Sequence, residues 1–457
     1  MRRWLGETAG GLPATYWYLW TGLLINRVGA FAMLFLSLYL TGSRGASAGL
    51  AGLVVGAYGA GGAVGVLLGG VLADGWGRRA TLVWSHLAAA LGMLVLAFTT
   101  NLAAIAVLAG LIGIVHSMPG PAFVAAIIDV VPEERRSRAF NLQFWAFNLG
   151  MAAASFLAGL LAETSFLALF LVDAGATLIT TGLIAWKVPE TLRRTRGPIA
   201  WKVPETLRRG AGRGAGAGTQ RRGAGRRATG PGTGAGQVLQ RRQPGLVTAL
   251  TDRTFMVFVG LTFVLAVLTT QTSTIMPLAM RADGLSTASY GVVVALGGAL
   301  IVLGQLFVPR LIDGYRKHLV LAVSTGLLAV GFGALAFADL LPVYLVAAVI
   351  WTVGSMLAAP PNAEINAELA PAVLRARYQS VFYLTFPAAA FVAPALGGVS
   401  LQYLGDWHWI IAGALGLAAA LGHLLAGPAR ERRVAVLRAG TPPTSPAALT
   451  TAGAVPE

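Results

Sequence analysis

Long apolar runs recur along nearly the whole chain and are separated by short polar segments. A helix of about 20 residues crosses a bilayer core of roughly 30 Å. Helix is favoured over strand because each backbone amide in lipid needs a partner within its own segment. The pattern predicts an all-α membrane protein with twelve spans, at 16–40, 47–74, 80–100, 102–129, 139–162, 164–187, 254–279, 287–312, 318–339, 341–368, 377–402 and 406–427.

A polar segment separates the first six predicted spans from the last six. It is rich in Gly, Ala and Arg, a composition that cannot bury a core, and it is predicted to be a flexible cytoplasmic linker. It also holds a 15-residue tandem duplication, because "IAWKVPETLRR" ends the sixth span and recurs at 199–209 without a span before it. We expect no role for the second copy. The predicted domains are an N-terminal segment 1–15, a six-helix bundle 16–190, the linker 191–250, a second bundle 251–428 and a disordered tail 429–457.

Composition agrees with this pattern, since charged residues make up 11% of the chain and hydrophobic residues 56%. Soluble domains carry about 25% charged residues. Cysteine is absent, which excludes disulfides and cysteine nucleophiles. The net charge of +16 comes mostly from the region between Lys187 and Arg253, which holds fifteen Lys or Arg and three acids. The charge therefore belongs to the linker, and no nucleic-acid partner is expected.

Basic residues also predict the orientation of the chain in the membrane. If the N-terminus is cytoplasmic, the external turns hold only Arg44 and Arg281, and Arg27 lies inside the first span. The other 31 of 34 Lys and Arg are then cytoplasmic, as the positive-inside rule requires. We expect a multi-pass protein of the plasma membrane with both termini in the cytoplasm.

An internal repeat divides the spans into two halves. "LADGWGRR" aligns with "LIDGYRKH", "DVVPEERRSR" with "ELAPAVLRAR", and "ASFLAG" with "APALGG", all at an offset of 239 residues. Parallel repeats of this kind in transporters place the substrate between the halves, near the middle of the membrane.

The stretch "GVLADGWGRR" resembles the loop signature between helices 2 and 3 of the major facilitator superfamily. The matching residues are Gly70, Asp74, Gly77, Arg78 and Arg79. The resemblance covers all twelve spans and implies two pseudo-symmetric six-helix bundles that transport a small molecule by alternating access. "QTSTIMPL" and the eighth span are similar to the proton-coupled multidrug efflux branch.

The resemblance also implies a latch on the cytoplasmic side. Asp74 would face the start of helix 11, and Arg78 or Arg79 would reach the acid that ends helix 4, Asp129. Such pairs are expected to cross the seam between the halves and hold the cytoplasmic side shut. The repeat makes Asp313 and Glu368 the counterparts in the second half. The alternative is that these residues only end helices and fix topology.

Helix 5 carries a degraded form of a pattern associated with antiporters. Gly150 and Gly159 match it, but Ala154 and Ser155 replace Gly-Pro, whereas helix 11 keeps its proline and small residues, Pro394, Gly397 and Gly398. Small residues permit close helix packing, which is their alternative explanation.

Polar residues within the spans are the candidates for substrate binding or coupling. A charge near mid-bilayer costs at least ~3 kcal/mol, so Arg27 should face the interior, either in the substrate cavity or as a structural partner of Asp173. Asp173 is a candidate proton carrier or a structural acid. The remaining polar candidates are Asn26, His116, Gln143, Asn148, Gln271 and Gln305. Large apolar side chains available to a cavity are Phe31, Phe35, Phe144, Trp145, Phe147, Met276 and Trp351.

These features favour a secondary active transporter that moves a small amphiphilic or hydrophobic molecule, as a proton-coupled exporter. An uptake symporter or facilitator is one alternative, and a sensor or scaffold without transport is another. No nucleophile–base pair, metal cluster or phosphate loop is found in the sequence, so an enzyme, a metal site and a cofactor are not expected. The expected partners are the substrate, protons and the lipid bilayer, and the protein is expected to be a monomer.

Overall fold

A computed structural model describes residues 10–192, 247–304, 307–371 and 374–439. The second copy of the duplication, most of the linker, the end of the C-terminal tail and Gln305 lie outside these ranges. The described residues on both sides of the linker belong to one compact unit.

Eleven helices in the described ranges are long and apolar enough to cross a membrane. We number the spans 1 to 12 in chain order. Spans 2 to 6 are Ala48–Gly75, Arg78–Phe98, Leu102–Val130, Glu133–Ala162 and Phe166–Lys187; spans 7 to 12 are Arg253–Ser273, Thr287–Gly304, Lys317–Phe337, Leu341–Leu369, Arg377–Leu404 and Trp407–Arg438. Shorter helices at Pro119–Val130, Val247–Thr251, Val308–Ile312 and Arg375–Tyr383 complete or adjoin these spans.

Span 1 is interrupted, so the prediction of one continuous helix over 16–40 is wrong in this respect. It consists of two shorter helices, Ala14–Val28 and Leu36–Ser43, separated by a non-helical segment at 29–35. Gly29 lies at the start of this segment, where a Cβ would clash with Ala176 of span 6. Close packing of span 6 therefore coincides with the point where the first helix ends.

Span 7 continues beyond Ser273 to Ala282, and it is interrupted at the equivalent place. Its long helix is Arg253–Thr270, a 3₁₀ turn covers Gln271–Ser273, and the helix Met276–Ala282 follows. The first residues of the two spans, Ala14 and Arg253, and the last, Ser43 and Ala282, are each 239 residues apart. The offset found in the sequence thus extends to the breaks in both first helices, and the two halves are pseudo-symmetric in structure.

Two glycine pairs join the halves where spans from different halves cross. A Cβ on Gly52 of span 2 would lie 3.1 Å from the Cα of Gly398 of span 11. A Cβ on Gly291 of span 8 would lie 3.0 Å from the Cα of Gly159 of span 5. We call these the glycine crossings. The four residues are equivalent in pairs under the offset, and small residues permit this close approach of backbones.

Candidate functional site

The first half contains a cavity of about 780 Å³, which we call the polar cavity. Residues from all six spans of that half line it. Its wall extends from Asn26 and Arg27, within span 1, to Ile128, which directly precedes Asp129 at the end of span 4. We call the end of the molecule that holds Asp129, Arg78 and Lys317 the basic face. The polar cavity therefore leads from mid-span toward the basic face.

A second space of about 710 Å³ lies between span 2 and the beginning of span 11, and we call it the seam cavity. It shares Tyr58, Val66 and Ser117 with the polar cavity. Apolar side chains such as Leu67 and Phe386 form much of its wall. Together the two cavities offer a polar end in the first half and an apolar end at the seam.

Hydrogen bonds close the seam at the opposite face. Gln402 of span 11 accepts a hydrogen bond of 2.9 Å from the backbone N–H of Gly49, at the start of span 2. Glu163, after span 5, accepts one of 3.2 Å from Ala288, at the start of span 8. Both contacts join one half to the other, and they are equivalent under the offset of 239. Arg281 adds a third, to the carbonyl oxygen of Leu38 at 3.3 Å.

Arg27 lines the polar cavity and has no ion-pair partner among the described residues. Its guanidinium lies 4.4 Å from the ring centroid of Phe147 of span 5, and its Nε is buried without a hydrogen-bond partner. Span 5 approaches it closely, because a Cβ on Gly150 would lie 2.5 Å from the Cβ of Arg27. The suggested direct pairing of Arg27 with Asp173 is not formed.

Asp173 instead binds the interrupted part of span 1. Its carboxylate accepts a hydrogen bond of 3.1 Å from the backbone N–H of Ala32, and it is also hydrogen-bonded to Phe31 and to the hydroxyl of Thr177. Asn26 donates to the same hydroxyl at 3.1 Å. Asp173 is buried and is not among the residues that line the polar cavity.

His116 and Gln143 both line the polar cavity. His116 Nδ1 is hydrogen-bonded to the hydroxyl of Tyr58 at 3.0 Å, and Gln143 Oε1 is buried without a partner. Sequence reasoning missed Tyr58 and His86, which also line this cavity. Both residues are polar side chains within otherwise apolar helices, on spans 2 and 3, and this contrast could have identified them from the sequence.

The other polar candidates lie elsewhere. Asn148 donates to the carbonyl of Phe144 in its own helix, and Gln271 is buried and bonded to His408 Nε2 at 2.5 Å. Gln305 lies outside the described residues. Of the large apolar candidates, only Phe147 is among the residues lining the polar cavity, whereas Phe31, Phe35, Met276 and Trp351 are buried in the largest core cluster.

The signature loop brings Arg78 and Asp129 together at the basic face. Arg78 Nε lies 3.1 Å from the Asp129 carboxylate, and Arg78 is also within 3.4 Å of Asp74. All three residues belong to the first half. The prediction that this pair crosses the seam is therefore wrong for this conformation. Arg79 also stays within the first half and donates to the carbonyl oxygen of Ala185 in span 6.

The first copy of "PET" holds this loop in place. Glu190 accepts a hydrogen bond of 2.9 Å from the backbone N–H of Arg78, and Thr191 donates to Asp129 at 3.0 Å. Gly77 precedes Arg78 with φ +115°, where a Cβ would meet the Glu190 carboxylate. Glycine is favoured there because L side chains rarely adopt this positive φ. A Cβ on Gly70 would have nothing within 4 Å, so no neighbour explains that signature glycine.

The second half repeats the ion pair at the same offset. Lys317 lies 2.8 Å from both Glu364 and Glu368, and Arg438 lies 2.8 Å from Glu368. Asp313, the counterpart of Asp74, is exposed. The small residues and the proline of span 11 pack against different partners. A Cβ on Gly397 would meet Ile275 at the break in span 7, whereas the Pro394 carbonyl oxygen lies against Gly52 of span 2.

The described residues contain eleven helices that can span a membrane, arranged in two pseudo-symmetric halves, with one cavity in the first half and one at the seam. These features are typical of multi-pass membrane transporters. The Major Facilitator Superfamily profile matches residues 19–373 and 260–453. The chain therefore belongs to the major facilitator superfamily.

Relatives and solved structures agree with this family. The chain is 26% identical over 398 residues to the uncharacterized MFS-type transporter YttB of Bacillus subtilis. This match covers 86% of this chain and 90% of that protein. A shorter match, 30% identical over 148 residues, is to the 4-hydroxybenzoate transporter PcaK of Acinetobacter baylyi and covers 32% of this chain and 30% of that protein.

The fold is similar to that of solved transporters at low sequence identity. A POT family transporter in complex with 5-aminolevulinic acid superposes with a TM-score of 0.70 at 14% identity, covering 92% of this chain and 97% of that one. The nucleoside transporter NupG gives a TM-score of 0.66 at 14% identity, covering 89% and 99%.

Proposed function

We propose that this protein is a proton-coupled secondary transporter that exports a small amphiphilic molecule by alternating access. The observation that carries the proposal is the difference between the two faces. The polar and seam cavities lead to the basic face, whereas hydrogen bonds through Gln402 and Glu163 close the opposite face. This arrangement is one of the two states that alternating access requires.

The positive-inside rule supports a cytoplasmic basic face. Arg78, Arg135, Lys317 and Arg433 all lie at that end of the described helices, whereas the opposite face holds Arg44 and Arg281. The conformation then corresponds to a transporter open to the cytoplasm, with both termini on that side of the plasma membrane.

Asp173 is the proposed proton site. It is a buried acid bound to the interrupted segment of span 1 through Ala32, and that span also carries Arg27. A proton on the carboxylate would weaken it as an acceptor for the backbone N–H of Ala32 and so change the stability of the break. Charged and titratable groups around it are Arg27 and Tyr58, with His86 and His116 beyond them across the cavity.

Proton-linked uptake or facilitated transport is the second candidate, and span 5 favours it. Ser155 stands where the antiporter-associated pattern has proline, and its hydroxyl donates to the Met151 carbonyl of the same helix at 2.8 Å. Span 5 is a helix of 30 residues, Glu133–Ala162, without an internal proline. It therefore lacks the residue type that most often kinks a helix.

Flux in proteoliposomes with an imposed pH gradient tests both candidates. Ethidium, benzoate and benzamide serve as cationic, anionic and neutral probes. We expect movement of at least one probe against its gradient, opposite in direction to the proton flow, and abolished by a protonophore. Flux in the same direction as protons would favour uptake. An absence of flux for every probe would contradict transport and favour a sensor.

Asp173→Asn is the matched variant for coupling. We expect it to lose accumulation driven by the pH gradient while it retains exchange of probe between the two sides. Asp339→Asn, the same chemical change at an exposed position between spans 9 and 10, should behave as wild type. Gradient-driven accumulation that survives in Asp173→Asn would assign the proton site elsewhere.

A further inference from the structure

Arg27 is the unsatisfied charge of the polar cavity. Its Nε is buried without a hydrogen-bond partner, and its guanidinium contacts a ring, that of Phe147, and no carboxylate among the described residues. Asp173, the nearest buried acid, is instead engaged by Ala32 and Thr177. A guanidinium within a membrane protein is costly unless water or an anion satisfies it.

The backbone of Arg27 is held so that the side chain projects into the cavity. Gly150 lets span 5 approach until a Cβ there would lie 2.5 Å from the Cβ of Arg27. Asn26, the preceding residue, is fixed by its hydrogen bond to Thr177 of span 6. The guanidinium is thus positioned by packing from two neighbouring spans, as a preorganised binding group would be.

The walls of the cavities select the charge of a ligand. Among the described residues that line the polar and seam cavities, none is Asp or Glu, and Arg27 is the one Arg or Lys. A cationic ligand would therefore meet an uncompensated positive charge. A neutral ligand would leave the guanidinium unpaired when the cavity closes, whereas a single negative charge would satisfy it.

The size of the cavities and the planar shape of the guanidinium narrow the chemical class of the ligand further. The polar and seam cavities, which share three lining residues, measure about 780 and 710 Å³, far more than an inorganic anion needs, and the seam cavity offers apolar surface from Leu67 and Phe386. A planar guanidinium matches a carboxylate through two parallel hydrogen bonds. Gln143, with a buried oxygen that lacks a partner, can accept a hydrogen bond from a donor group on the ligand.

We infer that the transported substrate is an amphiphilic monocarboxylate. Its carboxylate binds Arg27 beside Phe147, and its apolar part extends toward the seam cavity. This inference rests on the proposed transport function, but it adds the chemical class of the substrate. It also implies that closure of the cavity is energetically unfavourable without substrate, because closure without an anion would desolvate an unpaired guanidinium.

Equilibrium binding to the purified protein in detergent tests the inference without requiring transport. The probes are 4-phenylbutyrate and its neutral amide, which match in size and differ in charge at pH 7. We expect wild type to bind the acid roughly tenfold or more tightly than the amide, the effect of one charge-assisted contact. Equal affinities, or competition by chloride or phosphate but not by other carboxylates, would overturn it.

Variants at two arginines locate the site. Arg27→Gln should abolish the preference for the acid, and Arg27→Lys should keep part of it. Arg44→Gln should keep all of it, because Arg44 is bonded to Tyr39 and Thr99 near the opposite face. A preference for the acid that persists in Arg27→Gln would contradict the site. If Arg27→Gln does not fold, the inference is tested by the affinities of wild type for the acid and the amide and by the same comparison in Arg27→Lys.

The experiments distinguish a wrong substrate class from a wrong transport function. Acid binding that depends on Arg27, without flux in proteoliposomes, would leave the site standing and refute transport. Flux of the neutral amide that is unaffected by Arg27→Gln would leave transport standing and refute the carboxylate site.

Discussion

The two halves share a skeleton but differ in their buried chemistry. Both have an interrupted first helix, one glycine in each glycine crossing and an ion pair at the basic face, each repeated at the offset of 239. The polar groups do not follow the repeat. In the second half, the positions equivalent to Arg27, Tyr58, His86, His116 and Asp173 are Ala266, Gly297, Thr325, Ser355 and Ala412. The repeat therefore preserves the helix breaks, the crossings and the ion pairs, whereas these polar groups of the first half have no equivalent in the second.

The glycine crossings should show the largest effects, and the effects should be equal at the two crossings. A Cβ at Gly398 would lie 2.5 Å from the carbonyl oxygen of Ala48, and one at Gly291 would lie 2.5 Å from that of Ser155. We expect Gly398→Leu and Gly291→Leu each to reduce flux by at least about tenfold, because backbone atoms must move apart. Initial rates in proteoliposomes at matched protein amounts are the measurement.

Gly182→Leu provides the control, since nothing lies within 4 Å of a Cβ there. It should transport as wild type does. A large loss for one crossing and none for the other would show that the two crossings do not act alike, and the comparison of the halves would need revision.

The basic-face ion pairs should show a smaller and unequal effect. Arg78 has a side chain 14% exposed and binds Asp129, whereas Lys317 is 36% exposed. In the second half Arg438 still binds Glu368 when Lys317 is lost. We expect Arg78→Gln to destabilise the protein by about 1 kcal/mol and Lys317→Gln by less. Thermal unfolding in detergent at low and high salt is the measurement, and equal shifts would contradict the argument.

The smallest effect concerns Asp283, which takes the position equivalent to Arg44. Burial raises the pKa of Asp283, the hydrogen bond from Tyr344 opposes that change, and the charges of Asp406 and Asp339 add to it. Because the folded-state pKa is the higher one, the proton stabilises the fold fully below the unfolded pKa of about 3.9. This contribution is lost as pH rises through the folded-state pKa.

Asp283→Asn removes that titration and keeps an acceptor for Tyr344. Relative to wild type, we expect its unfolding temperature to rise slightly at pH 7 and to converge toward the wild-type value in acid. Asp313→Asn, at an exposed position on the basic face, is the control. An Asp283→Asn protein that is less stable than wild type at pH 7 would reverse the assigned sign.

The repeat and the apolar runs were sufficient to predict the helical fold and its two halves. They did not reveal the break in span 1, because "GAFAMLF" at 29–35 is as apolar as the helices around it and contains no proline. The break depends on tertiary contacts, namely the approach of Ala176 to Gly29 and the hydrogen bond between Asp173 and Ala32. Span 7 gave a clearer signal, since polar "QTST" precedes Pro277.

The sequence predicted only part of the candidate site, because the rest also depends on tertiary contacts. Arg27, Asn26, His116 and Gln143 stand out as polar residues in apolar runs, and all four line the polar cavity. Which polar groups meet cannot be read from a single helix. Gln271 is bound by His408 of span 12, a contact between residues 137 positions apart. A helical period alone carries no information about such distant neighbours.

Each glycine crossing begins a longer contact between the halves, because a Cβ on Gly59 would meet the Ala390 carbonyl oxygen and one on Gly298 would lie 2.6 Å from the Ala152 Cβ. The glycine crossings lie near the closed face, with Gly52 four residues after the start of span 2 and Gly291 four after the start of span 8. At 1.5 Å per residue, about 35 Å of span 2 extends beyond its crossing toward the basic face and about 6 Å toward the other. A tilt of one half against the other about these contacts would therefore move the basic end of span 2 farther than its closed end.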